Sequence, residues 1–586
     1  MAAIARPRRR AAPTMVQLTD YVSQEESEEC VDESSEEEDQ IEHASYEEPS
    51  DESDSESSAD EEHVDEASFT QERPLRGRNG FLWNRDPPNQ RGRFRRENVL
   101  RTAGGPTSIT RVDSIRETFQ LFVQDDLLSK IVHYTNKHAH QFIEDSDEDN
   151  WYRRRWSDID IDEFKAFIGC LIYIGVHKSG NESYEELWSD DDGRPKLRAT
   201  MSLNRFKVIM KFLRFDDKKT RKDRRQRDKL SAFREIWEMF LSRCRMCYSL
   251  GPNGTVDEML VGFRGRCPFR VYMPSKPNRY GIKIWVLADS ETCYFYNAQI
   301  YLGKEGNLPE IGQANRVVMD LCHPIYQSGR NITTDNFFTS VPLAANLLDK
   351  RLTLMGTLRS NKPEIPSLFQ GSSQREVYSS IFAFTEKLTM CSYVPKKRKS
   401  VILLSSLHHD ASISDGEERK PILILDYNAK KGAVDTIDMT TSTYSCNRQT
   451  RKYPTKLFTN MLNVACWNSF VIWIMNNQEW NRGNLAKRRL FLKDLAENLM
   501  MPHIRRRSLQ PRLLASVRTA MDLCGVKTHQ AVDQLPTAPG NPTDRGRCHM
   551  CVKRHQVRGI CVLCRKFVCN DHSIKGSLCL THDLSE

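Results

Sequence analysis

Near its end the 586-residue chain holds four pairs of metal-ligating side chains, Cys548 with Cys551, Cys561 with Cys564, Cys569 with His572, and Cys579 with His582, with two residues between the members of each pair. Thiolate and imidazole are the ligands zinc prefers, four to an ion, so eight of them suit two tetrahedral Zn2+ ions. In a cross-brace the first pair joins the third and the second joins the fourth. Cys548, Cys551, Cys569 and His572 then hold one ion, and Cys561, Cys564, Cys579 and His582 the other, with His555 spare. A segment this poor in apolar residues needs its metal to fold. Four acids invite different chemistry: Asp257 in TVDEML, Asp335 in NITTDNFF, and Asp435 with Asp438 in GAVDTIDMTT. Carboxylates are hard ligands, and in-line attack on a phosphodiester is served by two Mg2+ (or Mn2+) ions about 4 Å apart. Taken singly, each acid reads more readily as a turn cap or a surface ion pair than as a metal ligand.

The elements that would position these acids can be read from periodicity. From about residue 110 to 250 the pattern is helical. SDIDIDEFKAFIGCLIYIGVH has an N-cap candidate at Ser157 or Asp158, SLNRFKVIMKFLRF starts at Ser202, and SAFREIWEMFLSRCRMCYSL forms a third helix. DDKKTRKDRRQRDK, between the last two, is expected as a basic loop. Cys244 and Cys247 form a lone CxxC, more readily packed in the core than bound to metal. Near Gly251 short β-branched and aromatic runs begin, and TVDEMLVGF, YGIKIWVLAD, CYFYNAQIYLG and RNITTDNFF are expected as strands. Asp257 then lies within a strand, Asp335 at a strand end, and Asp435 where Gly432 closes an extended run and a helix starts. Asp438, three residues on, shares that helix face. Asp289 also ends a strand and is a rival acid. VYSSIFAFTEKLTMCSYV and SVILLSSLHH read as hairpins inserted in a mixed α/β core, and helices return from 454 to 500.

Charge is unevenly spread. Residues 25–66 hold 22 Asp and Glu and no Lys or Arg, leaving 57 acids against 86 Lys and Arg, or +29, for the rest of the chain. A body this basic suits a polyanion such as double-stranded DNA. Residues 1–105 are too polar to bury a core and are expected to be disordered. No run of 18 apolar residues is present, so no membrane span is expected. The seventeen Cys lack a disulfide framework, as expected of an intracellular protein. Basic clusters at 395–399 (PKKRK), 487–489 (KRR) and 505–507 (RRR) match nuclear-import patterns, and a DNA substrate would place the protein in the nucleus.

VDEMLVGFRGRCPFRVYMPSKPNRYGIKIWVLAD, NITTDNFFTSVPLAANLL, LMGTLRSNKPEIP and NAKKGAVDTIDMTTSTYSCNRQTRKYPTKLFTNMLNVACWNSF resemble, in order and spacing, blocks of the piggyBac family of DNA transposases, over about 110–500 and into the tail. The resemblance implies a ribonuclease-H-like core with Asp257, Asp335 and Asp435 as the metal triad and Asp438 as an accessory acid. It also implies Arg359 and Lys362 as contacts to target DNA, excision through hairpinned ends, insertion at TTAA, a homodimer holding two transposon ends, and a tail that grips terminal DNA. Arg545, Arg547, Lys553, Arg554, Arg558, Arg565 and Lys566 in the tail suit phosphate contacts.

The expected organisation is therefore a polar arm (1–105), a helical dimerisation and DNA-binding lobe (106–250), and a catalytic core (251–360 and 421–445) split by an insertion (361–420). A second helical DNA-binding lobe (446–525), a linker (526–545) and a RING- or PHD-like zinc cross-brace (546–586) follow. Two other readings stand beside a transposase: a domesticated DNA-binding or chromatin protein, and a zinc-dependent, ubiquitin-ligase-like interaction protein.

Overall fold

The computed structural model describes residues 74–88, 100, 102–147, 150–274, 276, 278–303, 310–371, 373–528, 545–551, 555–561, 566–574 and 578–579. The chain divides into two compact units: one of residues 1–182 and 204–500, the other of 183–203 and 501–586.

The first unit opens on a surprise for the sequence reading. Part of the polar arm is folded: Leu75–Arg76 and Leu82–Trp83 pair antiparallel. One aromatic residue explains it. Trp83 is fully buried and its indole donates to the Glu364 carbonyl at 2.9 Å. Asn84 and Phe384 exchange backbone hydrogen bonds beside it.

Helices α1 (Asp125–Glu144), α2 (Ile161–Val176), α3 (Leu203–Phe212), α4 (Lys218–Arg227) and α5 (Arg234–Cys247) follow. Asp160, rather than Ser157 or Asp158, caps α2 by accepting from the Glu163 N–H at 2.8 Å. The stretch expected as a basic loop is helix α4. Its Asp217 cap accepts from Lys219 N–H at 2.9 Å, and buried Asp216 accepts from Arg221 Nε and Arg224 Nη2 at 2.9 and 2.6 Å. Those contacts offset repulsion among cations that no apolar stripe predicts. Cys244 and Cys247, on α5, are buried.

Among the described residues the centre is a nine-stranded mixed sheet. Its strands are β1 (Asn253–Gly262), β2 (Val271–Tyr272), β3 (Tyr280–Asp289), β4 (Phe295–Ile300), β5 (Asn331–Thr334), β6 (Thr353–Leu358), β7 (Ser380–Phe384), β8 (Thr389–Lys396) and β9 (Lys399–Ser405). β3 is antiparallel to both β1 and β4, while β5 runs parallel to β1, and β6 parallel to β5. β3 is buried along nearly its whole length, as a strand covered on both faces must be. The 380–405 strands are hairpins as expected, but they are not set apart: β9 pairs antiparallel with β6 and extends the same sheet.

Helices α6 (Gln313–Cys322), α7 (Val341–Asp349), α8 (Ile422–Lys430), α9 (Ala433–Thr443) and α10 (Tyr453–Asn476) complete the unit. The run before Gly432 is therefore helix α8, not extended chain, and α9 packs on β1, β3 and α10. α10 is long and apolar enough to cross a membrane, yet its 18-residue apolar stretch is wholly buried. Asn468 on α10 exchanges two hydrogen bonds with the Phe295 backbone, and Trp467 Nε1 donates to the Cys293 carbonyl at 2.7 Å. These bonds tie α10 to the start of β4.

In the second unit the helix Pro195–Thr200 packs on Ala515–Leu523, and Arg507 donates to the Arg198 and Ala199 carbonyls. The tail carries two-residue ladders, Gly546–Arg547 with Gln556–Val557 and Ser573–Ile574 with Leu578–Cys579.

Candidate active site

The acids meet where β5 stops and β1 continues. Val256 and Thr334 are partners in the parallel pair, so Asp257 and Asp335 follow side by side. One oxygen each from Asp257, Glu258 and Asp335 lies within 4.8 Å of the others. Three hard oxygens at that spacing fit a divalent cation of the Mg2+ or Mn2+ kind. The turn after β5 fixes Asp335: its Oδ1 accepts from Phe337 and Phe338 N–H at 3.0 and 3.4 Å. Thr339 Oγ1 donates to the Asp335 carbonyl at 2.6 Å and also meets Thr334 Oγ1 at 2.7 Å. Asp257 Oδ1 accepts from the Glu258 N–H at 2.7 Å.

Burial, with repulsion from Glu258 and Asp335, pushes the Asp257 carboxyl up to about 7. Burial and Glu258 push Asp335 up to about 6, against the Phe337 and Phe338 N–H groups and Lys283. Carboxyls crowded in this way gain by taking up a cation.

Asp435 and Asp438 lie on the first turns of α9. α8 is tied to the sheet just before them, where Thr255 Oγ1 donates to the Lys430 carbonyl at 2.7 Å. Asp435 contributes to the rise at Asp257 but stands outside the tight group; it is largely exposed and lies 3.8 Å from Lys276 Nζ. Burial raises Asp438 to about 6, with Lys276 opposing and Asp435 adding to the rise. Arg359 leans over the Phe337 ring, 6.0 Å from its centroid, beside the Asp335 turn. Lys362 follows in a tight turn, its N–H donating to the Arg359 carbonyl. The rival Asp289 is a buried turn cap, accepting from Gly251, Glu291 and Thr292 N–H groups at 2.6, 3.0 and 2.9 Å.

Sequence reasoning missed Glu258, Lys276, Lys283 and Tyr427. Strand alternation predicts that Glu258 faces away from Asp257, yet an oxygen of each lies within 4.8 Å of the other. Tyr427 on α8 is buried, and burial together with the charges of Asp335, Asp257 and Asp435 pushes its hydroxyl up. An aromatic on a helix carries no signal for this.

In the tail, Cys548, Cys551, Cys569 and His572 offer ligand atoms within 4.8 Å of one another, the first pair with the third. Cys551 Sγ lies 3.4 Å from both Cys569 Sγ and His572 Nδ1. Cys561 is buried, while the side chains of Cys564, Cys579 and His582 lie outside the described residues. Arg545, Arg547, Arg558 and Lys566 are exposed; Lys553, Arg554 and Arg565 lie outside the described residues. His555 gives its carbonyl to the Cys548 N–H at 2.9 Å. Of the basic clusters, 395–399 forms the tip between β8 and β9, whereas Lys487 and Arg488 are buried.

A mixed sheet with acids gathered at adjacent parallel strand ends, and a Cys3His cluster in a separate unit, define a class of two-part α/β proteins with two candidate metal centres. Comparison narrows the class. A family model described as Transposase IS4 matches residues 114–470. A piggyBac transposase, solved by cryo-EM as a synaptic complex with hairpin DNA, is 35% identical with a TM-score of 0.71, over 82% of this chain and 100% of that one. This chain belongs to the piggyBac family of DNA transposases. Human piggyBac transposable element-derived protein 3 is 25% identical over 260 residues, 42% of this chain and 40% of that protein. Human piggyBac transposable element-derived protein 5 is 26% identical over 277 residues, 45% and 51% of the two chains. The chain thus spans about half the length, or less, of these relatives.

Proposed function

We propose that this chain is a cut-and-paste transposase that cleaves the ends of a DNA element and joins them to TTAA target DNA. One arrangement carries the reading: Asp257 and Asp335 adjacent on parallel strands, with Asp435 on a helix packed against β1. The strand order β4–β3–β1–β5–β6, antiparallel on one side of β1 and parallel on the other, supports a ribonuclease-H-like core.

Asp257, Asp335 and Asp435, with Asp438 as accessory acid, are the residues that would hold Mg2+ (or Mn2+), which supplies charge neutralisation at phosphorus and activation of the attacking oxygen. The protein's own part is positioning. The Asp335 turn and the α8–sheet tie hold the acids on rigid elements, and Arg359 and Lys362 beside them take a phosphate of the target. The Cys3His cluster and its sister hold Zn2+, and the exposed arginines around them grip terminal DNA. The helical segments 106–250 and 446–525 form DNA-binding and dimerisation surfaces, so that a homodimer holds both ends in the nucleus.

The test is excision from a donor plasmid carrying cognate ends. Asp257→Ala, Asp335→Ala and Asp435→Ala each abolish excision while end binding persists. Excision by any of the three at the wild-type rate removes that acid from the triad, and excision by all three removes the reading. The alternative of a domesticated, immobile relative draws on the names of the human proteins and is excluded by terminal repeats flanking the gene together with excision in this assay.

A further inference from the structure

Glu258 and Lys283 sit together on one face of the β1–β3 pair. Glu258 lies opposite Trp285, and Leu260 lies opposite Lys283, so Glu258 and Lys283 are diagonal neighbours. The Lys283 side chain is only 4% exposed, and its ammonium stands 3.8 Å from Glu258 Oε2. It also lies 5.1 Å from the Phe337 ring, in the turn whose N–H groups hold Asp335. A cation buried to that extent needs a fixed negative partner, and 3.8 Å is a loose ion pair that leaves the Glu258 oxygens free to turn toward Asp257 and Asp335.

We propose that Glu258 is a ligand of the divalent cation held by Asp257 and Asp335, and that Lys283 is the residue that positions it. This deepens the transposase reading and rests on it. The oxygens that meet within 4.8 Å are those of Asp257, Glu258 and Asp335, while Asp435 stands apart, paired with Lys276. The first ion to enter therefore finds its tightest seat with Glu258 in it. Three carboxylates and one ammonium leave two negative charges, which one divalent ion neutralises. Lys283 does two things at once: it aims Glu258 along the β1 edge, and it keeps three crowded acids from carrying their full repulsion.

The experiment is Mn2+ binding to the full chain without DNA, followed by calorimetry and by the Mn2+-induced rise in melting temperature. Glu258→Gln keeps the shape of the side chain and weakens Mn2+ about tenfold or more, the scale on which ligand-shell changes act. Lys283→Met weakens Mn2+ in the wild-type background and adds nothing in Glu258→Gln. Wild-type affinity in Glu258→Gln, with affinity lost in Asp257→Asn, overturns the assignment of Glu258 and leaves the transposase reading intact. Wild-type affinity in Asp257→Asn as well breaks the carboxylate centre itself. Additive losses in the double variant overturn the role of Lys283. The melting curves without metal show that each variant is folded.

Discussion

Val256 on β1 and Thr334 on β5 are partners across a parallel pair, and the residue after each is an aspartate. A one-residue slip would send one of the two acids to the opposite face of the sheet. The register is therefore part of the site, and the first prediction follows from how closely it packs the acids.

Burial and neighbouring carboxylates raise Asp257 to about 7 and Asp335 to about 6 in the folded chain, from an ordinary 3.8. The native state then keeps protons that the unfolded chain releases. The stability this represents is complete below the unfolded value and is lost as pH climbs through the folded ones. Metal-free protein should melt several degrees higher near about pH 5 than near about pH 7.5 on account of these groups. Asp257→Asn should flatten that slope, and Mn2+ added at the upper pH should restore stability to wild type alone. Calorimetric melts across the window check it; a variant with the wild-type slope counts against the pKa assignment.

Gly356 on β6 is the partner of Thr334 on β5. A Cβ there would collide with Thr339 Oγ1 and the Thr334 carbonyl, the groups that shape the turn carrying Asp335. Gly356→Ala should lower the melting temperature and also reduce excision by more than the stability loss accounts for. Measuring activity well below the melting point separates the two effects. Full activity there would mean that the turn tolerates displacement.

Trp83 anchors the folded part of the arm through its buried ring and the Glu364 carbonyl. Truncating a buried aromatic costs about 3–5 kcal/mol, more than a two-strand hairpin can stand alone. Trp83→Ala should free residues 74–86 for proteolysis while the sheet stays folded. Mass spectrometry of limited digests reads the cut sites. Protection equal to wild type would show that the backbone bonds of Asn84 suffice.

The convergence of Asp257 with Asp335, and of Cys548 and Cys551 with Cys569 and His572, was legible in the sequence because such chemistry needs particular residue types at set spacings. The strands around Asp257 and Asp335 were legible through β-branched, aromatic runs. Contributions from distant chain were not. Glu258 joins the carboxylate group only through the pairing of β1 with β5 that brings Asp335 alongside, and Asp216 gathers two arginines of α4. The arm is ordered at Trp83 by a carbonyl 281 residues away. Each depends on a tertiary partner that local composition does not encode.

The tail gives the last prediction. Cys569 Sγ and His572 Nδ1 are 3.0 Å apart, and Cys551 Sγ lies 3.4 Å from each, so ligands from both ends of a 25-residue segment already converge. Burial opposes ionisation of Cys548, but N–H groups of Cys569, Met550 and Cys551 outweigh it and bring the thiol down to about 6, the thiolate form that zinc takes. The small apolar core around Val568 is made largely of the ligands themselves, so little remains to hold the fold once the ion leaves. His572→Ala should reduce bound zinc from two ions per chain to about one, and a strong chelator should unfold the tail altogether. Elemental analysis of purified protein counts the ions, and the tail's amide signals report the unfolding. Because Cys551 and His572 belong to different pairs, the cross-brace expects the double variant Cys551→Ser with His572→Ala to keep one ion, whereas loss of both ions in that variant would overturn the alternating connection.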